Sequence, residues 1–199
     1  MAILIGLEHF LQLDKINLLP KIHMMIVYFI VWVIMTSSVS ATAQPAPFQE
    51  YVVKGAFLYN FARFVEWPQK AFANEQDPLT ICILGEDPFD NALDQLRGKT
   101  TGKHKIQVRQ HAALSEIYSC NILFISKSEQ DKLAEILSFS HQRRVLTVSD
   151  MENFAAQGGV IGLITVQNKI RFEVNLEAAR RADLRISSQL LKLAIIVKE

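Results

Sequence analysis

Three acidic side chains, Asp87, Asp150 and Glu173, fall near the ends of apolar runs, where open α/β sheets gather ligands and catalytic groups. Carboxylates placed so could share general acid and base work in a hydrolysis. Two of them have a plainer reading. Asp87 precedes Pro88 and Asp150 follows Arg144–Val148, so each suits the start of a helix. Past residue 43 the histidines are His104, His111 and His141. They lie in different segments and match no ligand motif, which favours surface or capping roles over a metal centre. The chain carries no G-x-G-x-x-G, phosphate loop, G-x-S-x-G elbow or H-E-x-x-H, and so offers no recognised constellation for catalysis. The expectation is a non-enzyme with no cofactor and no metal.

Charge narrows the partners. The 199 residues carry a formal net charge of +1, whereas phosphate backbones call for a strong basic excess. Nucleic acid is therefore not an expected partner. Arg180, Arg181 and Arg185 cluster near the end; on a helix they read as a solvated face.

The first 43 residues look like an export signal. Lys15, Lys21 and His23 precede an apolar run from Met24 to Met35, and Ala41-Thr42-Ala43 follows with small residues at the positions a signal peptidase requires. Twelve strictly apolar residues fall short of the roughly 20 that span a bilayer. Cleavage after Ala43 is expected, in preference to an uncleaved anchor helix. Glu8 and Asp14 are unusual in a basic region, which suggests a translation start nearer Leu18. Residues 44–199 then form a single domain.

Cys82 and Cys120 are the only cysteines. In an exported protein such a pair favours a disulfide over two buried free thiols. No CxxC marks a redox centre.

Periodicity supplies the elements that must position these groups. Val53, Phe57, Phe61 and Phe64 recur at helical spacing, predicting a helix over Glu50–Glu66 that stops at Pro68. Further helices are expected over Pro88–Leu96, Glu129–Leu137, Asp150–Ala156 and Leu176–Val197, the last broken near Asp183. Strands are expected at Leu79–Leu84, Lys105–Arg109, Cys120–Ile125, Arg144–Val148, Val160–Val166 and Lys169–Val174, with Gln167-Asn168 as a tight turn. Alternation of this kind gives an α/β domain with a doubly wound, mainly parallel sheet and a late antiparallel hairpin at one edge. In that topology the first and third strands are neighbours, which brings Cys82 and Cys120 close. Asn175 is placed to cap the helices that follow.

Several blocks taken together resemble the YfiR family. They are Phe57-Leu58-Tyr59-Asn60-Phe61-Ala62-Arg63-Phe64-Val65-Glu66-Trp67-Pro68, Ile83–Phe89, Asn121–Ser126, Val145–Asp150, Phe154 with Gly158-Gly159, and Phe172 to Leu193. The resemblance implies a small periplasmic α/β protein that represses an inner-membrane diguanylate cyclase by binding its periplasmic sensor domain, lowering cyclic-di-GMP and with it adhesion and biofilm formation. It also implies relief by an outer-membrane lipoprotein, and a homodimer. The family's type member has a second disulfide toward the C-terminus, for which this chain lacks the cysteines; only the pair matching Cys82 and Cys120 carries over. Partner contacts are expected on the first and last helices, with Arg180, Arg181 and Arg185 chosen on charge alone. The competing readings are a small-molecule binding module with a pocket near Gly85, Ser126 and Asp150, and a hydrolase using a carboxylate pair.

Overall fold

A computed structural model describes residues 24–29, 47–141 and 143–197, and the chain divides into two units, Met1–Ala43 and Gln44–Glu199. In the first unit residues 24–29 are helical and exposed; the rest of the expected signal, including the cleavage position, lies outside the described residues. No helix among the described residues is long and apolar enough to cross a membrane.

The second unit holds, in chain order, helix α1 (Pro47–Phe64) and strands β1 (Val65–Glu66), β2 (Leu79–Leu84), β3 (Thr100–Thr101), β4 (His104–Ala112) and β5 (Ile122–Ile125). Then come α2 (Leu133–His141), β6 (Leu146–Ser149), β7 (Ile161–Val166), β8 (Lys169–Asn175), α3 (Leu176–Arg181), β9 (Arg185–Ile186), α4 (Ser188–Leu191) and β10 (Ile195–Val197). Short 3-10 turns fill several connections.

Eight strands form one sheet in the order β10-β8-β7-β6-β5-β2-β4-β3. The central five, β4, β2, β5, β6 and β7, are mutually parallel. β2, β5 and β6 are buried at every position, as strands must be when both faces of a parallel sheet are covered. Alternation divides their side chains between two cores. Leu79, Ile81, Ile83, Ile122, Phe124, Leu146 and Val148 pack under α1 with Phe61, Phe89 and Phe172. Cys82, Leu84, Leu123 and Ile125 face the opposite core with Leu133, Ile136 and Leu137 of α2. This is the expected doubly wound α/β arrangement.

β7 and β8 pair antiparallel from Ile161↔Val174 to Val166↔Lys169. Gln167 and Asn168 have φ of 49° and 60°, the left-handed pair that a two-residue hairpin needs to match strand twist. Asn175 caps α3, its Oδ1 accepting from the Ala178 N–H at 2.8 Å while its Nδ2 donates to the Ala155 carbonyl. Gly158 supplies a positive φ of 99°. Gly159 serves packing instead, since a Cβ there would lie 2.1 Å from the Phe154 ring.

The structure departs from expectation in four places. α1 ends at Phe64, and Val65-Glu66 forms a strand paired antiparallel with Arg185-Ile186. Pro88–Leu96 is not a helix: Asp90 turns left-handed at φ 48° so that Phe89 can insert between Tyr51 and Phe124, and only Asp94–Leu96 coils as a 3-10 turn. After Asp150 the chain turns irregularly, with Asn153 at φ 55°. The C-terminal stretch is not one helix. Asp183 at φ 57° breaks it, Ser187 caps α4 through Leu190 N–H, and Ile195–Val197 forms β10, lying parallel to β8. β10 therefore covers the outer edge of the hairpin.

Cys82 and Cys120 are joined by a disulfide with Cα atoms 5.9 Å apart, linking β2 to the turn that enters β5. Replacing both cysteines by alanine should lower unfolding free energy by about 3–4 kcal/mol for a closed loop of this size. Urea unfolding with and without reductant checks it, and reductant should change the wild type alone.

Candidate functional site

The competing small-molecule reading places a pocket at the carboxyl ends of the parallel strands, near Gly85, Ser126 and Asp150. Among the described residues, side chains crowd this end around Gly85 and Asp150. Gly85 follows β2 at φ 89°, and a Cβ there would meet Ser128 Oγ at 2.4 Å. Glu86 N–H donates to that same Oγ at 2.9 Å. Asp150, at the end of β6, does not cap a helix. Its Oδ2 accepts from Lys54 Nζ at 2.5 Å and from Tyr51 Oη at 2.8 Å, both on α1. The Lys54 and Asp150 side chains are each only 3 % exposed. Glu50 lies 2.6 Å from Lys54, and Lys127 lies 3.8 Å from Asp150. Asp150 Oδ1 accepts no hydrogen bond among the described residues.

Burial first, and then the neighbouring Asp150 carboxylate, push the Tyr51 phenol well above its ordinary pKa of 10.0. The Lys54 ammonium also sits over the Tyr51 ring, 4.2 Å from its centroid. Such a cluster ties one end of α1 to the sheet; no bound reactant would reach Asp150 without displacing Lys54 and Tyr51.

The other two acids lie apart from this cluster. Asp87 accepts from Phe89 N–H and from Gln110 Nε2 at 2.8 and 2.7 Å. Glu173 lies within β8 opposite Gly162. Nor do the histidines gather. His104 Nδ1 is 2.7 Å from the Asp77 carbonyl, its ring stacked on Phe72, while His141 Nε2 is 3.0 Å from the Gly158 carbonyl. His111 is exposed at φ 55°.

What the fold does bring together is the two ends of the domain. β1 directly follows α1, and β9 directly follows α3 across one short turn. Val65 pairs with Ile186 and Glu66 with Arg185, and Ser187 N–H donates to the Phe64 carbonyl at 3.0 Å. Val65-Glu66 and Arg185-Ile186, far apart in the chain, thus form one short ribbon that joins the end of α1 to the segment between α3 and α4. This ribbon had no signal in periodicity, because a two-residue strand is too short to show alternation. Around it Arg63, Glu66, Arg180, Arg181 and Arg185 are exposed. Arg63 lies over the Tyr59 and Phe64 rings, and Arg180 pairs with Glu177 one turn back on α3. The surface is thus cationic at its margin and fixed in place by backbone pairing.

Among solved structures, a conserved domain protein of Vibrio cholerae O1 biovar El Tor shares 10% identity with this chain at a TM-score of 0.48. An ABC domain from Streptococcus pneumoniae, described in complex with L-Trp, shares 11% identity at 0.43. Each match covers 60% of this chain, which spans 55% of either protein's length. The model of the YfiR/HmsC-like family matches residues 51–195.

Two outcomes follow from the buried cluster. Lys54→Met should cost about 3–5 kcal/mol, because it strands a buried carboxylate, and the double change Lys54→Met with Asp150→Leu should recover most of that loss. Chemical denaturation of the three proteins measures it. Since the folded phenol holds its proton beyond pH 10.0, Tyr51 contributes stability below that pH, and the contribution fades as pH rises further. Tyr51→Phe should therefore flatten the fall in melting temperature above pH 10, measured as the difference from wild type.

Proposed function

The chain belongs to the YfiR/HmsC-like family, a family of periplasmic regulators of diguanylate cyclase signalling, and on that premise we propose that it represses a membrane diguanylate cyclase by binding the cyclase's periplasmic sensor domain. The observation that carries this reading is the extent of the match, residues 51–195, which takes in both chain segments of the β1–β9 ribbon. The chemistry of the ribbon is consistent with it. Arg185 lies in the paired segment itself and Arg180 and Arg181 on the adjoining α3, so the backbone beneath them needs little loop ordering to dock.

Repression then needs no catalysis by this chain. Binding one arrangement of the sensor domain more tightly than the other shifts the cyclase toward its inactive state, by as much as the difference in affinity allows. An outer-membrane lipoprotein that sequesters the protein would reverse the shift. Arg180, Arg181 and Arg185 are the proposed contacts, pairing with acidic groups at the rim of the interface.

Deleting the gene should raise cellular cyclic-di-GMP, and restoring the secreted protein should lower it again. An unchanged nucleotide level while the partner cyclase is expressed rejects the proposal. In a binding assay with the purified sensor domain, replacing all three arginines by alanine should weaken association by about tenfold, chiefly through a slower on-rate. The deficit should shrink as salt is added.

A further inference from the structure

The opposite end of the sheet, where the parallel strands begin, holds a cavity of about 530 Å³. Its walls come from four separate segments: the turn after α1, the entry to β2, the stretch from β4 to β5, and the residues before β6. Four of the side chains lining it are cationic, Lys70, Arg109, Arg143 and Arg144, and only Asp77 is acidic. On a chain whose net charge is +1, that local imbalance is not a consequence of composition.

Two of the cations, Arg109 and Arg143, are held by groups that carry no compensating charge. Arg109 Nη1 donates to Ser119 Oγ at 2.8 Å, and the Ser119 hydroxyl donates onward to the Glu116 carbonyl at 2.8 Å. The Arg143 guanidinium lies over the Phe139 ring at 4.4 Å. Arg144 reaches Asp183 at 3.3 Å, but that carboxylate is 67 % exposed, so solvent screens the pair. Among the described residues Lys70, Arg109 and Arg143 join no ion pair. The one acid present, Asp77, already accepts from the Asn74 N–H at 2.8 Å. The disulfide anchors the floor at Cys120, and Asn121 Oδ1 ties the same floor to Thr80 N–H at 2.8 Å.

Cations gathered around a concavity repel one another, and an anion placed between them relieves that repulsion. Guanidinium groups bind carboxylate and phosphate oxygens through paired hydrogen bonds. Tyr118, 66 % exposed at the rim, adds a hydroxyl donor. We propose that this cavity binds a small polyanion, a metabolite bearing phosphate or several carboxylates. The Arg144–Asp183 pair sets this cavity beside the turn between α3 and β9, but its lining includes neither β1 nor β9, and the proposal does not depend on the repressor reading.

Calorimetric titration of the full chain with pyrophosphate and with citrate, run separately at low salt, tests the proposal and tells phosphate from carboxylate. One or both should bind in the submillimolar range with one site per chain. Lys70 and Arg143 are both exposed, so the double variant Lys70→Ala with Arg143→Ala should fold as the wild type does. It should bind about 100-fold more weakly, roughly tenfold for each charge-assisted hydrogen-bonding group removed. Arg180→Ala with Arg181→Ala should leave the affinity unchanged. Absence of saturable binding by either probe overturns the site. So does equal binding by the Lys70/Arg143 variant, or an equal loss in the Arg180/Arg181 variant, which would mark a general charge effect. Sensor-domain binding is assayed apart from this, so failure of either result leaves the other standing.

Discussion

A sheet whose central strands are buried on both faces cannot exist without cover on both sides, and this requirement organises the rest of the domain. β2 and β5 offer water no surface, so each face must recruit a layer from elsewhere in the chain. One layer is local: α2 and the turns around it follow β5 directly and carry the disulfide side of the core. The other is not. α1 precedes every strand of the large sheet, yet it packs through Phe57 and Phe61 on Phe172 of β8, more than 100 residues away in sequence.

Apolar packing alone would let such a helix slide or rotate, because hydrophobic attraction has no direction. Polar contacts at its two ends supply the direction. At one end Lys54 and Tyr51 meet a single oxygen of Asp150; at the other the β1–β9 pairing and the Ser187–Phe64 hydrogen bond hold the exit. A buried ion pair contributes little net stability because desolvation offsets its attraction, and its use here is to fix one register of helix on sheet.

Much of this architecture was legible in the residues. The strands at Leu79–Leu84 and Lys169–Val174, the Gln167-Asn168 turn and the Asn175 cap follow from local chemistry that operates over a few residues. What could not be read depends on distance. Asp150 has the local signature of a helix cap, and only the arrival of α1 gives it another partner. Phe89 sits in a plausible helix, but its burial between Tyr51 and Phe124 outweighs weak helical propensity. β1, β9 and β10 are two or three residues long and carry no period of their own. Candidate surfaces divide in the same way. Arg180, Arg181 and Arg185 lie within six residues and are visible as a cluster, whereas Lys70 and Arg109 come beside the Arg143-Arg144 pair only through the strand order.

The long-range seating of α1 also bears on how the domain is made. Synthesis proceeds from the N-terminus and domains fold as units, so α1 is among the first parts complete while its partners in β8 and β9 are among the last. Until β8 arrives, Phe57 and Phe61 lack the Phe172 ring on which they pack, and contacts this distant in sequence form slowly. The newborn chain is thus a different object from the finished one: it is sticky early, and safe only once its last thirty or so residues have been delivered. A truncation near the C-terminus would accordingly harm the beginning of the protein as much as its end.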